Sequence, residues 1–220
     1  MRAFAWYEDA MRLFKRAPVV WCVLGFLVLA ADIGLQFIPG IGVAASKVIL
    51  PVVECGMLVG AAALDAGAQL TLRYALIAFL APPAALAAIV ISGLLVFAAE
   101  ALAAYGIDGV NLLAVESSSS ELSATALLAV LGAGTIVSLP VAFVPFAALF
   151  GARSFAGAFA TSARAFWLNL APLLLFGLLA LVLVGLGVLT FGVGLIAVFP
   201  LLSAASYAAW KDIFRAVQLP

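Results

Sequence analysis

Residues 19–64 read VVWCVLGFLVLAADIGLQFIPGIGVAASKVILPVVECGMLVGAAAL, which is two long apolar runs with a turn between them. The runs cover about Val19–Phe37 and Val43–Leu64, and Pro39-Gly40-Ile41-Gly42 is a cluster of turn-forming residues. A helix needs about 20 residues to cross the roughly 30 Å hydrocarbon layer of a bilayer. The stretch therefore predicts a hairpin of two membrane-spanning helices.

The composition of the whole chain agrees with a membrane location. Of the 220 residues, 68% are hydrophobic and 9% are charged, and the mean hydropathy is +1.33. Ten Lys and Arg balance ten Asp and Glu, which excludes a basic nucleic-acid-binding face. The chain has no histidine, the commonest metal ligand and general base, so we predict no enzyme activity, catalytic residue, metal or cofactor. The predicted partners are the lipid bilayer and, for an assembly, a second copy or another membrane protein.

Four further apolar runs extend the hairpin to an all-α, polytopic transmembrane bundle of about six spans. A polar stretch at about 100–123, which includes Ser117–Ser120, interrupts the pattern and is predicted to be an extracytoplasmic loop. The last two spans are predicted to join near Gly185 and Gly187. The further spans are predicted at about Ala75–Ala99, Ala124–Phe150, Trp167–Leu186 and Leu189–Trp210.

The distribution of basic residues predicts the orientation. Lys and Arg near span ends are retained on the cytoplasmic side, and in this arrangement only Lys47 falls on the other side. Both termini are therefore predicted to be cytoplasmic. The N-terminal region contains Glu8 and Asp9, and the apolar run continues past Val28-Leu29-Ala30, which argues against a cleaved signal peptide. The residues on the predicted cytoplasmic side are Arg2, Arg12, Lys15, Arg16, Arg73, Arg153, Arg164, Lys211 and Arg215.

Recurring prolines point to three copies of a helical hairpin, the alternative being chance recurrence in a chain rich in Ala and Leu. Three times a segment ends in Ala-Pro and enters a span, at Pro18, Pro82 and Pro172. The span that follows each of these carries a further proline after an apolar residue, and a proline there kinks a helix. These predicted kinks are at Pro51, Pro140 and Pro200.

Residues 1–17 are predicted to form a cytoplasmic amphipathic helix at the membrane surface, ahead of a six-span domain at 18–220. Its apolar stripe has helical spacing, and we expect Trp6 to sink into the lipid interface with it. Residues 153–167 look like a second such lead-in helix, and those around Arg73 like a poorer one. The residues of the stripe are Phe4, Tyr7, Met11 and Phe14.

Three short segments resemble an uncharacterised bacterial family of six-span inner-membrane proteins: Leu13–Pro18, Ile38–Gly42 and Phe199–Phe214. They read LFKRAP, IPGIG and FPLLSAASYAAWKDIF. That family is distantly similar to the membrane domain fused to some glycerophosphodiester phosphodiesterases. The resemblance extends over nearly the whole chain and implies a bacterial inner-membrane protein. It implies no catalytic residue, because the phosphodiesterase activity belongs to a soluble domain that has no counterpart here.

Glu54 is the leading candidate for an intramembrane polar site, because it falls near the middle of the second span. A charged side chain there costs about 3 kcal/mol on insertion and marks a functional site by default. One interpretation is a proton or cation site, and the other is a protonated acid bonded to a carbonyl freed by Pro51. Asp65, near the inner end of the same span, is expected to be solvated or paired with Arg73.

Asp32 and Lys47 lie toward the outer ends of spans one and two, where they either pair or line a vestibule leading to Glu54. Asn169 is expected to extend a polar path together with serines and a tyrosine, the alternative being bonds within the helix bundle. Glu100 is predicted to mark the outer boundary of span three. The residues expected to join Asn169 are Ser138, Ser203, Ser206 and Tyr207.

Gly56 and Gly60 form a G-x-x-x-G motif, which permits close helix packing within the bundle or between protomers. Together these features predict a non-enzymatic membrane protein that binds or moves a small solute, lipid or ion. A scaffold or assembly protein without transport activity is the alternative, and a membrane-embedded enzyme is a third. The scaffold alternative requires the intramembrane charges to be paired and dry.

Overall fold

The structure, a computed structural model, describes residues 2–38, 41–113, 122–151 and 154–216. Every regular element in these ranges is a helix, so the predicted all-α fold is confirmed. Pro39, Gly40, Ser117–Ser120 and Arg153, which entered the predictions, lie outside the described residues. The helices are α1 (Arg2–Arg16), α2 (Pro18–Gln36), α3 (Gly42–Asp65), α4 (Tyr74–Ile77), α5 (Pro83–Asp108), α6 (Ala124–Val141), α7 (Val144–Phe150), α8 (Phe155–Leu168), α9 (Leu170–Leu189) and α10 (Leu195–Ala216).

Five helical segments of the described chain are long and apolar enough to cross a membrane, which makes this a multi-pass membrane protein. They are α2, α3, α5, the α6–α7 segment Ala124–Phe150, and α9. With 22 residues α10 is long enough as well. It is not one of the five, because polar residues such as Lys211 and Asp212 occupy its C-terminal half.

The third predicted span is displaced along the chain. It was expected at about Ala75–Ala99, but α5 begins at Pro83 and continues to Asp108. Pro82 is extended because another proline follows it, and Pro83 occupies the first helical turn, where its missing N–H costs nothing. Gly109, with φ 68°, ends the helix in the left-handed conformation. The segment before Pro82 forms α4 and a 3₁₀ turn instead of the start of a span.

The last turn was also predicted in the wrong place. Gly185 and Gly187 lie inside α9, and the chain reverses between Leu189 and Leu195. Gly192 takes φ 80° there. A Cβ at Gly187 would lie 2.7 Å from Cδ2 of Leu195, so this glycine permits α10 to approach α9.

The proline at 140 breaks its span. α6 ends at Val141 and α7 begins at Val144, whereas Pro51 and Pro200 lie inside continuous helices. Ser162 of α8 repairs the break: its hydroxyl donates to the Pro140 carbonyl at 2.7 Å and accepts from the Phe143 N–H at 3.1 Å. Backbone groups freed in a membrane need such partners.

The lead-in helices α4 and α8 each pack against the hairpin that comes before them in the chain, and α1 packs against the hairpin of α9 and α10. α4 packs on α3, α8 packs on α6 and α7, and α1 packs on α9 and α10. The predicted placement of Trp6 in the lipid interface differs from the structure, where Trp6 is 2% exposed and contacts Phe176 edge-to-face. The buried stripe of α1 faces protein, while Phe4 and Met11 of the predicted stripe are exposed. The buried residues of α1 are Ala3, Trp6, Ala10 and Leu13.

Candidate functional site: a polar cavity inside the bundle

An open cavity of about 500 Å³ lies between α3, α5, α6, α7 and α10. Its volume is within the usual range of small-molecule sites. Its walls are mainly apolar, but carboxylates, an ammonium group and hydroxyls converge on it. The polar lining residues are Lys47, Glu54, Ser92, Glu100, Ser138, Ser203 and Ser206.

Glu54 lies at the middle of the 24-residue helix α3, one turn beyond Pro51. Here α3 and α5 approach closely, since a Cβ at Gly93 would lie 2.9 Å from Cγ of Pro51. The carboxylate of Glu54 is exposed to the cavity, and it has neither a hydrogen bond nor an ion pair with any described residue. The interpretation in which Glu54 bonds a carbonyl freed by Pro51 therefore has no counterpart in these contacts.

Lys47 lies on the same face of α3 as Glu54, two turns nearer the start of the helix. Its ammonium group stands 5.0 Å from the ring centroid of Phe97 on α5, a cation–π contact. Lys47 lines the same cavity as Glu54 and Glu100.

The predicted pair of Asp32 with Lys47 does not form, because Lys47 turns toward α5 instead of α2. Asp32 is half-buried on α2 and is not among the residues that line the cavity. Its Oδ1 is buried without a hydrogen-bond partner among the described residues.

Glu100 is a cavity residue that the sequence analysis missed. It was expected at the boundary of a span, yet it lies two turns before the end of α5 and faces α6. A Cβ at Gly134 would lie 2.4 Å from Oε1 of Glu100, so this glycine makes room for the carboxylate. A second cavity of about 390 Å³ borders Glu100 on its other side. Its position in the cavity could have been predicted from helical spacing. Glu100 follows Val96 by four residues and Ser92 by eight, so the three lie on one face of α5, and all three line the cavity.

The cavity serines present acceptor atoms. Ser92 donates to the Ile89 carbonyl at 2.8 Å, and Ser138 and Ser203 likewise donate to carbonyls of their own helices. Each donation uses the single hydroxyl proton and leaves oxygen lone pairs. With two carboxylates nearby, the described lining of the cavity therefore offers many acceptors and one charged donor, Lys47.

An aromatic cluster lies at the end of the cavity nearest α1. Phe146 both lines the cavity and stacks on Trp210, with ring centroids 5.5 Å apart. Trp210 contacts Phe150 at 5.4 Å and Phe214 at 5.9 Å. The cluster joins α7 to α10.

Asp65 joins α3 to α10 at this same end. It accepts hydrogen bonds from the Tyr207 hydroxyl at 2.9 Å and from the Lys211 ammonium, and Arg12 of α1 lies 4.0 Å away. The Asp65 side chain is 11% exposed. It is therefore neither solvated nor paired with Arg73, the two alternatives that its sequence position indicated.

Asn169 lies at the junction of α8 and α9, outside the cavity. Its side chain accepts a hydrogen bond from Arg2 at 2.9 Å and donates to the Ala165 carbonyl at 2.9 Å. Arg2 also donates to Asp212. Of the residues predicted to extend the polar path, Asn169 and Tyr207 thus bind other parts of the bundle, while the three serines reach the cavity.

Gly56 and Gly60 pack within the chain. A Cβ at Gly56 would lie 1.8 Å from the carbonyl oxygen of Tyr74, and one at Gly60 would lie 2.7 Å from Leu70. These two glycines allow the segment around α4 to cross α3 at close range.

The fold and cavity together define a class: an α-helical, multi-pass membrane protein with ionisable groups gathered in an intramembrane cavity. No family model, curated protein or solved structure matches the chain.

Proposed function

We propose that this chain is a non-enzymatic inner-membrane protein that binds or moves a small solute, lipid or ion in the cavity between α3, α5, α6, α7 and α10. The observation that carries the proposal is the presence of Glu54 and Glu100 in one cavity, where neither forms an ion pair with any residue that the structure describes. Ionisable groups inside a membrane are costly unless paired, and those that line a hydrated cavity mark substrate or ion pathways. A scaffold would keep such groups paired.

We propose a topology of six spans with both termini in the cytoplasm as part of the same function. α10 would be the sixth span, its polar half shielded by α1 and by the contact of Asp65 with Lys211. Each of the three lead-in helices α1, α4 and α8 packs on one hairpin, and this regular arrangement supports three hairpin repeats. Both termini would then lie in the cytoplasm of a bacterium, with the end that carries α1 facing inward.

Accessibility of the cavity to water tests the proposal. Single cysteines replace Glu54 or Glu100 in a Cys22→Ala, Cys55→Ala background, and a membrane-impermeant thiol reagent is applied from each side. Both positions are expected to react from the side opposite α1, because the aromatic cluster lies at the α1 end.

Two controls frame the result. Leu128→Cys replaces an apolar residue of α6 that is 71% exposed and should not react. Asp108→Cys, at the exposed end of α5, should react from outside only. If Asp108→Cys reacts while both cavity positions stay silent, the cavity is dry and the scaffold alternative replaces the proposal. Reaction of Asp108→Cys from the cytoplasmic side would reverse the orientation.

A further inference from the structure

The polar cavity stops short of the end of α3. Its described lining on this helix ends at Leu58, and Asp65, the last residue of α3, lies seven residues farther on, a rise of about 10 Å. Ala61 and Leu64 lie between these two residues and are 0% and 7% exposed. Buried side chains therefore fill about two helical turns between the cavity and this end of the bundle.

Trp210 of α10 belongs to the same layer. Its ring stacks on Phe146, which lines the cavity, and lies 6.2 Å from the ring of Tyr207. The Tyr207 hydroxyl donates to Asp65 at 2.9 Å, so Trp210 lies between the cavity wall and the end of α3. We call Ala61, Leu64 and Trp210 the inner plug.

Asp65 ties the helices together beside the plug. Its Oδ2 accepts from Lys211, the residue after Trp210, and Arg12 of α1 lies 4.0 Å from its Oδ1. One carboxylate thus joins α3, α10 and α1. Hydrogen bonds between charged groups are about twice as strong as those between neutral groups.

Asp212, two residues after Trp210, ties α10 to α1 a second time. Its Oδ2 accepts from Arg2 at 2.9 Å and from the indole N–H of Trp6 at 2.8 Å. Trp210 is therefore followed in α10 by two residues whose side chains are bound to neighbouring helices.

α1 is joined to α2 through one non-helical residue. Ala17 has φ −148° and ψ 55°, and Pro18 begins α2. Proline has no backbone N–H, so the helical hydrogen bonding is interrupted at this point. α1 can swing about Ala17 as a rigid helix, and Arg2, 15 residues before it, lies about 22 Å from this hinge.

We propose that α1 is the latch of an inner gate: while α1 is docked on Asp65 and Asp212 the inner plug closes the cavity, and release of α1 opens the cavity toward the end that carries α1. This inference rests on the proposed function, in the form in which the ligand is moved, and describes how its inner exit is controlled. The docked arrangement of α1 is the closed state.

Labelling of a single cysteine at position 206 tests the latch in the full chain, in membrane vesicles of either orientation. Ser206 lines the cavity on α10. In the Cys22→Ala, Cys55→Ala background, we expect Ser206→Cys to react with an impermeant thiol reagent only from the side opposite α1. Asp65→Asn or Asp212→Asn should raise the rate from the α1 side about tenfold or more, because each weakens charge-assisted hydrogen bonds of the latch.

Asp9→Asn is the matched control. It also removes an ion pair of α1, but that pair, with Arg12 at 2.8 Å, lies within α1, so the rate from the α1 side should not rise. Asp212→Glu keeps a carboxylate at the latch and should react more slowly than Asp212→Asn. Ala158→Cys, at a fully buried position of α8, should stay silent in every variant whose fold is intact.

The latch is wrong if position 206 reacts from the α1 side at the same rate with and without the asparagine substitutions, or if Asp9→Asn raises the rate equally. Should the asparagine variants expose Ala158→Cys, Trp6→Phe decides instead, since it loses only the indole donor to Asp212. It must then raise the rate at position 206 while position 158 stays silent.

Failure of the latch differs from failure of the proposed function. Cysteines at positions 54 and 100 that react from the side opposite α1 would still support the cavity, whatever α1 does. Silence of both positions from both sides would remove the proposed function itself.

Discussion

Replacing Gly56 with alanine should loosen the contact between α3 and the segment around α4. The new Cβ would lie 1.8 Å from the Tyr74 carbonyl oxygen and 2.9 Å from its carbon. These are backbone atoms that no side-chain rotation can move, so the two segments must separate. At Gly60 the obstacle is the Leu70 side chain at 2.7 Å, which can rotate away, and at Gly132 nothing lies within 4 Å.

The three glycines allow the size of the effect to be worked out by difference. Alanine gains about 1 kcal/mol of helix propensity over glycine at each position. Overpacking against a fixed neighbour costs about 1–3 kcal/mol. We therefore expect Gly132→Ala to stabilise the chain by up to about 1 kcal/mol and Gly60→Ala to be nearly neutral. At Gly56 the obstacle is backbone, so the overpacking cost falls at about 2–3 kcal/mol and Gly56→Ala should destabilise the chain by about 1–2 kcal/mol.

Thermal unfolding of the purified variants in one detergent, followed by near-ultraviolet circular dichroism, measures this order. A change of 1 kcal/mol shifts the midpoint by about 2–4 °C in a chain of this length. If Gly56→Ala unfolds at or above the temperature of the wild type, the reasoning about Tyr74 is wrong. If it leaves the monomer intact but dissociates an oligomer, Gly56 packs between protomers.

Three other perturbations probe the contacts outside the cavity. Asp65→Asn should cost about 1–3 kcal/mol in chemical unfolding, and a double-mutant cycle with Lys211→Met should show non-additivity. Ser162→Ala leaves two backbone groups at the helix break without partners and should cost about 1–3 kcal/mol, whereas Ser138→Ala should change stability by less than about 0.5 kcal/mol. Burial raises the pKa of Tyr7 above its ordinary 10.0, so the stability it contributes is present below that pH and is lost as pH rises above it. Between about pH 9 and 11, the midpoint of Tyr7→Phe should therefore fall less than that of the wild type.

The positions of the spans followed from hydropathy, but their ends depended on which turn-forming residues the chain uses. Pro82 and Pro83 start α5, although the apolar run before them has the same composition. Gly187 and Gly192 look alike in sequence, yet one provides room for a neighbouring helix and the other a positive φ. Composition does not distinguish these two uses of glycine, since both depend on tertiary contacts.

The sequence predicted one carboxylate of the candidate site, Glu54, but not the other, Glu100. Glu54 stood out because apolar residues surround it, while Glu100 was assigned to a polar loop because its neighbours along the chain continue into one. The partners of α1 were hidden for a different reason. An amphipathic helix satisfies its apolar face equally well with lipid or protein, and only the fold places Trp6 next to Asp212, to which its indole N–H donates.

The docking of α1 on α10 fixes the order in which the bundle is completed during synthesis. Arg2 and Asp212, which bind each other, are 210 residues apart in the chain. At typical translation rates α1 waits about 10–40 s for its partner. Throughout this time Trp6 and its neighbours must rest against lipid or an insertion factor. α10 is thus the helix that secures α1, and a ribosome stalled before α10 would leave α1 without this partner.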